Sequence, residues 1–148
     1  MRLRAAWLAA ALGAALPGAA WPDWAVVAST GDYFLEFDPA TVRSQGPFTM
    51  AWTRMTFTVP QRSPDSGAAH QSQLQLHAVD CAASASTVVG IVFYSGAIGR
   101  GDAVEQTTRP RSEWKPNPPP PGSLGELTIR LACGEIERRK RGGSARPR

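Results

Sequence analysis

The stretch Arg109-Pro110-Arg111-Ser112-Glu113-Trp114-Lys115-Pro116-Asn117-Pro118-Pro119-Pro120-Pro121 divides this chain more sharply than any other feature. Proline has no N–H for a ladder or a helix, and its ring clashes with a preceding helical turn. Neither a central strand nor a helix interior can pass through such a run. It reads as a connector. In polyproline II geometry its last six residues reach about 19 Å, the length of a typical strand, so it can reverse the chain across a sheet.

Ahead of the connector, aromatic and β-branched residues recur in runs of strand length, punctuated by Gly, Pro, Asp and Ser. Strands are expected over 24–29, 33–37, 48–59, 70–81 and 87–94, with a weaker one over 103–108, giving an antiparallel sheet of five or six strands. Asp38-Pro39 reads as a helix cap followed by proline at the first position of a single turn. Pro60 is expected to close the third strand. That strand changes phase: Phe48, Met50 and Trp52 alternate on one face, while Met55, Phe57 and Val59 fall on the other. Either a bulge near Thr53-Arg54 resets the register, or both faces of the sheet are partly apolar. The run Val88-Val89-Gly90-Ile91-Val92-Phe93-Tyr94 lacks polar alternation altogether, as in a central strand covered on both sides. One helix cannot cover two faces, so a second copy is expected on the other, making a homodimer.

Beyond the connector, Ser123-Leu124-Gly125-Glu126 forms an S-x-x-E capping box. Ile129, Ala132, Cys133 and Ile136 then follow i, i+3, i+4, i+7 spacing and would turn Cys133 toward the sheet. A strand competes, because Leu127, Ile129, Leu131 and Cys133 also alternate. The helix is favoured because the cap is specific and the strand leaves 135–141 without a role.

Arg2 and Arg4 precede an apolar run over 5–16, and Pro17-Gly18-Ala19-Ala20 supplies a break and small residues. This is the pattern of an export signal, too short to span about 30 Å of hydrocarbon. Residues 1–20 are therefore expected to be a signal peptide, with a single domain over 21–137, a basic disordered tail over 138–148 and no transmembrane segment. No cysteine stands at the cleavage site for lipid attachment, so a periplasmic or secreted protein is expected. In an oxidising compartment Cys81 and Cys133, the only two cysteines, have each other as partners.

The net charge of +4 is unevenly spread. Arg138, Arg139, Lys140, Arg141, Arg146 and Arg148 are crowded into the end of the chain, whereas 21–137 carries more acidic than basic residues. The six basic residues are candidates for polyanion binding. Nothing points to nucleic acid. Catalytic, metal and cofactor chemistry find no pattern either. His70 and His77 lack a third ligand at suitable spacing, and His77 and Asp80 accompany no nucleophile elbow. Gly96-Ala97-Ile98-Gly99-Arg100-Gly101 lacks the Lys-Ser/Thr of a phosphate loop and reads as a flexible hairpin connection.

The order of features resembles the surface-adhesin protein E family of Gram-negative bacteria. The resemblance rests on Trp24-Ala25-Val26-Val27, Tyr33, Phe37-Asp38 with Thr41-Val42-Arg43, Met50-Ala51-Trp52, Val79-Asp80-Cys81, and Pro121-Gly122-Ser123-Leu124-Gly125-Glu126 leading to Cys133. It implies a curved antiparallel sheet with a C-terminal helix held to its concave face by a disulfide, an α+β fold. It further implies a non-catalytic, dimeric surface protein that binds host matrix or plasma proteins such as laminin and vitronectin. A periplasmic accessory protein without a host ligand is the alternative.

Overall fold

A computed structural model describes residues 23–144 of the chain. The expected signal peptide, and Arg146 and Arg148, lie outside the described residues. One antiparallel sheet contains β1 (Ala25–Ser29), β2 (Tyr33–Phe37), β3 (Arg43–Gln45), β4 (Phe48–Arg62), β5 (Ala69–Asp80), β6 (Ala85–Tyr94) and β7 (Ala103–Thr108). The order across it is β1-β2-β4-β5-β6-β7, with β3 paired to the start of β4. A single α-helix, α1 (Leu124–Ser144), follows the connector. The α+β class is as expected. The additional strand is β3, whose three residues are too few to display a period; Gly46, at φ 60°, makes its turn into β4.

β4 pairs residue for residue with β5 from Thr49–Val79 to Thr56–Ser72, so no bulge interrupts Thr53-Arg54 and the sheet is apolar on both faces. The irregularity lies further on. After Thr56–Ser72 the next pair is Gln61–His70, which leaves 57–60 opposite Gln71 alone. Pro60 falls where β4 makes no ladder with β5, and the strand passes through it to Arg62 rather than ending there. In β6, Leu76 pairs with Gly90 and His77 with Val88, so Val89 is an added residue. The bulge turns Val89 toward Met50 and Ala78 on one face and leaves Val88 on the other.

The helix covers the first face only in part. Ile129 and Ala132 join Phe37, Val42, Ala51 and Val79 in one buried cluster, with Cys133 and Ile136 packed against it. The capping box forms: Ser123 Oγ accepts from the N–H of Glu126 at 3.3 Å, and Glu126 Oε2 accepts from the N–H of Gly122 at 2.6 Å. Cys133 is bonded to Cys81, just past the end of β5, with Cα atoms 5.8 Å apart. Linking residues 52 apart removes loop entropy from the unfolded chain worth about 4 kcal/mol. The far end of the helix is held by Arg139, whose guanidinium donates to the carbonyls of Val42 and Pro39, each at 2.7 Å. These carbonyls flank a short 3-10 turn capped by Asp38, which accepts from Ala40 N at 2.8 Å. The boundary expected at Glu137 between domain and disordered tail is not one the helix observes, since it continues to Ser144.

The second face is covered from within the chain. Trp114 packs against Phe48, ring centroids 5.9 Å apart, over the cluster of Met50, Ala78 and Val89. The Arg111 guanidinium stacks on both rings, 4.8 Å from Phe48 and 4.6 Å from Trp114. The connector then returns to the sheet, exchanging backbone hydrogen bonds between Asn117 and Ser86. Further along the same face the glycine-rich segment folds back as a pinned loop rather than a flexible one. Ile98 N donates to Thr56 Oγ1 at 3.1 Å, Gly99 N to Ser72 Oγ at 2.8 Å, and Ser72 Oγ to the carbonyl of Gly96 at 2.5 Å. The buried pair Glu36–Arg54, at 2.6 Å, adds a bond from Arg54 to the Ile98 carbonyl. A second copy is thus not required to bury this face. Trp114→Ala should lower stability by about 2 kcal/mol in urea melts, less than a fully buried Trp would cost because Trp114 is only half-buried.

Candidate functional site

Two adjoining cavities lie on the first face, one beneath the N-terminal turns of α1 and one beyond the helix, and both have Val88 in their walls. The first, about 310 Å³, sits between the N-terminal turns of α1 and strands β4 to β6. Met55, Val88 and Leu124 line it with apolar surface and Gln75, His77 and Asn117 with polar groups, His77 and Val88 being cross-strand partners. The second, about 200 Å³, has Val88, Ile91 and Phe93 as an apolar floor and Pro64 and Asp65 as a rim. That rim is held by Glu105 of β7, which accepts from Ser66 Oγ at 2.7 Å and Ser66 N at 2.9 Å. These bonds, that of the Ser66 hydroxyl first, hold the Glu105 carboxyl at about 2.

His77 is the only titratable group in the first cavity. Its Nε2 lies 2.9 Å from the buried Thr53 hydroxyl, and burial of the ring pushes its pKa down to about 4. The ring is therefore neutral at physiological pH. Asp80, three residues along from His77, accepts from the N–H of Ala83 and caps the turn into β6. His70 lies seven residues away, its ring between the edges of Phe57 and Phe93, and burial lowers its pKa also. The two histidines share no partner. Among the described residues no group of three or more His, Cys, Asp or Glu is placed to hold a metal ion.

The C-terminal basic residues are largely engaged with their own helix. Arg138 and Arg139 both bond to Glu135, at 2.7 Å, and Lys140 pairs with Glu137 at 2.9 Å. The Arg138 guanidinium, with Arg139 beside it, holds the Glu135 carboxyl at about 2. Arg139 also serves as the helix anchor described above. Cys81 and Cys133 line two further hollows of about 450 and 380 Å³, which also have charged side chains of α1 in their walls.

Gln75 and Asn117 carry no site signal in the sequence, and Thr53 figures there only at the expected bulge. Their neighbourhood depends on strand register and on where the connector returns, neither of which leaves a local pattern.

The sequence profile of the surface-adhesin protein E family matches residues 24–134, most of the chain. The chain belongs to the surface-adhesin protein E family. No curated protein sequence matches it. Among solved structures, Haemophilus influenzae protein E is similar at 13% identity, with a TM-score of 0.56, over 84% of this chain and 94% of that one. Crystal form II of the same protein is similar at 15% identity and a TM-score of 0.55, over 86% of this chain and 99% of that one. At this identity the likeness shows the fold: an open antiparallel sheet with one C-terminal helix. The family is one of surface proteins, and no helix among the described residues is long and apolar enough to cross a membrane.

In this adhesin E-family chain the neutral state of His77 has a measurable consequence. Unfolded, the ring takes up a proton near pH 6.5; folded, it does so only near 4. Between those values the unfolded state binds more protons, so stability falls as the pH drops through the window, by about 3 kcal/mol in all. His70 adds to the loss in the same direction. The Glu105 and Glu135 contributions are lost only below the ordinary carboxylate range, from about 4.5 toward 2. Urea melts from pH 7 to pH 4 should show this slope, and His77→Gln should flatten it.

Proposed function

We propose that the protein is an exported, non-catalytic binding module of the adhesin type, which holds a host matrix or plasma protein on the open half of its helix-bearing face. The observation that carries this reading is the incomplete cover of that face. α1 lies over Phe37, Ala51 and Val79 and leaves the stretch around Val88, Ile91 and Phe93 concave and partly apolar. Concave apolar surface with a polar rim is a common setting for protein recognition. The rim carries the rigid Glu105-braced loop, so the surface is preformed. Immobilised laminin and vitronectin should retain the disulfide-bonded protein, and Ile91→Glu should weaken retention at least tenfold while leaving the melting curve unchanged. Retention of the variant equal to that of the wild type would place the contact elsewhere.

A homodimer belongs to this proposal through a strand edge rather than the second face. β1 is an edge strand of five uncharged residues, and Val26 on it is 59% exposed. Uncharged edges invite pairing with another strand. Light scattering at tens of micromolar is expected to report a dimer, with Val26→Lys shifting it to monomer. Any polyanion binding rests chiefly on Arg141, with Arg146 and Arg148 beyond the described residues, because Arg139 is committed to the fold and Arg138 to Glu135.

A second reading, a periplasmic accessory protein without a host ligand, is favoured by Gly18-Ala19-Ala20 being followed by Trp21 rather than by a cysteine that could take lipid. Recovery confined to the periplasmic fraction would select it over adhesion.

A further inference from the structure

The cavity of about 310 Å³ beneath the first turns of α1 differs from the rest of the open face in its chemistry. None of the side chains lining it carries a charge at neutral pH. The charged residues of this part of the helix, Glu126 and Arg130, line the hollow beside the disulfide instead. Three polar side chains line the cavity with hydrogen-bonding groups that the chain itself does not use, the exposed Asn117 at its mouth and the half-buried Gln75 and buried His77 deeper in. Gln75 and Asn117 present amides whose only bonds within the chain are made by their backbones. His77 is 94% buried and has one ring nitrogen bonded to Thr53, while the other makes no bond within the chain and is open to the cavity. Each amide can both donate and accept, and the neutral imidazole does either according to its tautomer. Beside them, Met55 and Val88, the latter the cross-strand partner of His77, supply apolar floor, and Leu124 supplies apolar surface from the helix. A few placed polar groups against an apolar wall, in a volume near the lower end of small-molecule sites, make a recognisable binding geometry.

We propose that this cavity is a binding site for a small uncharged molecule with an apolar one- or two-ring body and a head that both donates and accepts hydrogen bonds, such as an aromatic amide or a phenol. The head meets Gln75, His77 and Asn117; the ring lies against Met55, Val88 and Leu124. A charged head would lose its hydration and find no counter-charge here, so the site discriminates against carboxylates and ammonium ions. The connector contributes Asn117 because its backbone is bonded to Ser86, which holds the residue at the cavity mouth independently of any ligand.

The test is a titration of the disulfide-bonded, 15N-labelled protein with benzamide, followed by the side-chain amide signals of Gln75 and Asn117. Benzoate and benzylammonium serve as charged counterparts. Benzamide is expected to shift those signals saturably at about millimolar concentration, as suits a fragment of its size, and the charged probes to bind at least tenfold more weakly. Val88→Trp, which fills the cavity, should abolish the saturable shifts. Gln75→Leu, at a half-buried position outside both core clusters, keeps the test decisive if the tryptophan variant fails to fold; it should weaken benzamide at least fivefold. The proposal is overturned if benzamide gives no saturable shift at these amides, if benzoate or benzylammonium binds equally well, or if Gln75→Leu binds as the wild type does.

Discussion

A sheet has two faces, and strands β4 to β6 carry apolar side chains on both, while the chain supplies one helix. Everything else in the structure answers that mismatch. The helix takes the Phe37–Ala51–Val79 end of one face. The other face is closed by two irregular segments, the connector with Trp114 and the 95–101 loop. Irregular backbone laid on a sheet brings N–H and C=O groups that water no longer reaches, and each needs a partner. This accounts for polar residues that would otherwise look misplaced. Thr56 and Ser72 are buried on the second face because their hydroxyls receive the backbone of the 95–101 loop. Arg54 is tolerated there because Glu36 neutralises it and the Ile98 carbonyl takes a further donor.

The position of the helix follows from two anchors of different kinds. The Cys81–Cys133 bond ties its middle to the end of β5, and Arg139 ties its last turns to the backbone around the 3-10 turn. Between them they fix the helix over β2, β4 and β5, with its N-terminal turns reaching the start of β6, and leave the rest of β6 and β7 to a single loop braced by Glu105. The open concavity is therefore a consequence of where the helix is tethered, and its rigidity a consequence of the brace. The same arrangement buries His77 beneath the N-terminal turns of α1, which keeps the ring neutral and the neighbouring cavity free of charge.

Local pattern determined a great deal. Alternation and turn residues marked β2 and β7 to their observed ends, the S-x-x-E box and i, i+3, i+4, i+7 spacing marked the helix and its buried residues, and two cysteines in an exported chain marked their own pairing. These features are legible because each is a short-range consequence of backbone geometry or of simple counting. What only the tertiary structure decided was long-range. Whether the phase change in β4 meant a bulge or a two-sided sheet depended on pairing with β5, which proved regular through Thr53. Pro60 was read as a stop because its lost N–H matters in a ladder, and the structure has no ladder with β5 at that point. Arg139 looked like part of a free basic cluster, yet it reaches carbonyls about a hundred residues away in the chain, which charge patterning cannot register. Gln75, Asn117 and His77 meet at one cavity only because register, connector and helix tether converge there, and no spacing in the sequence encodes that convergence.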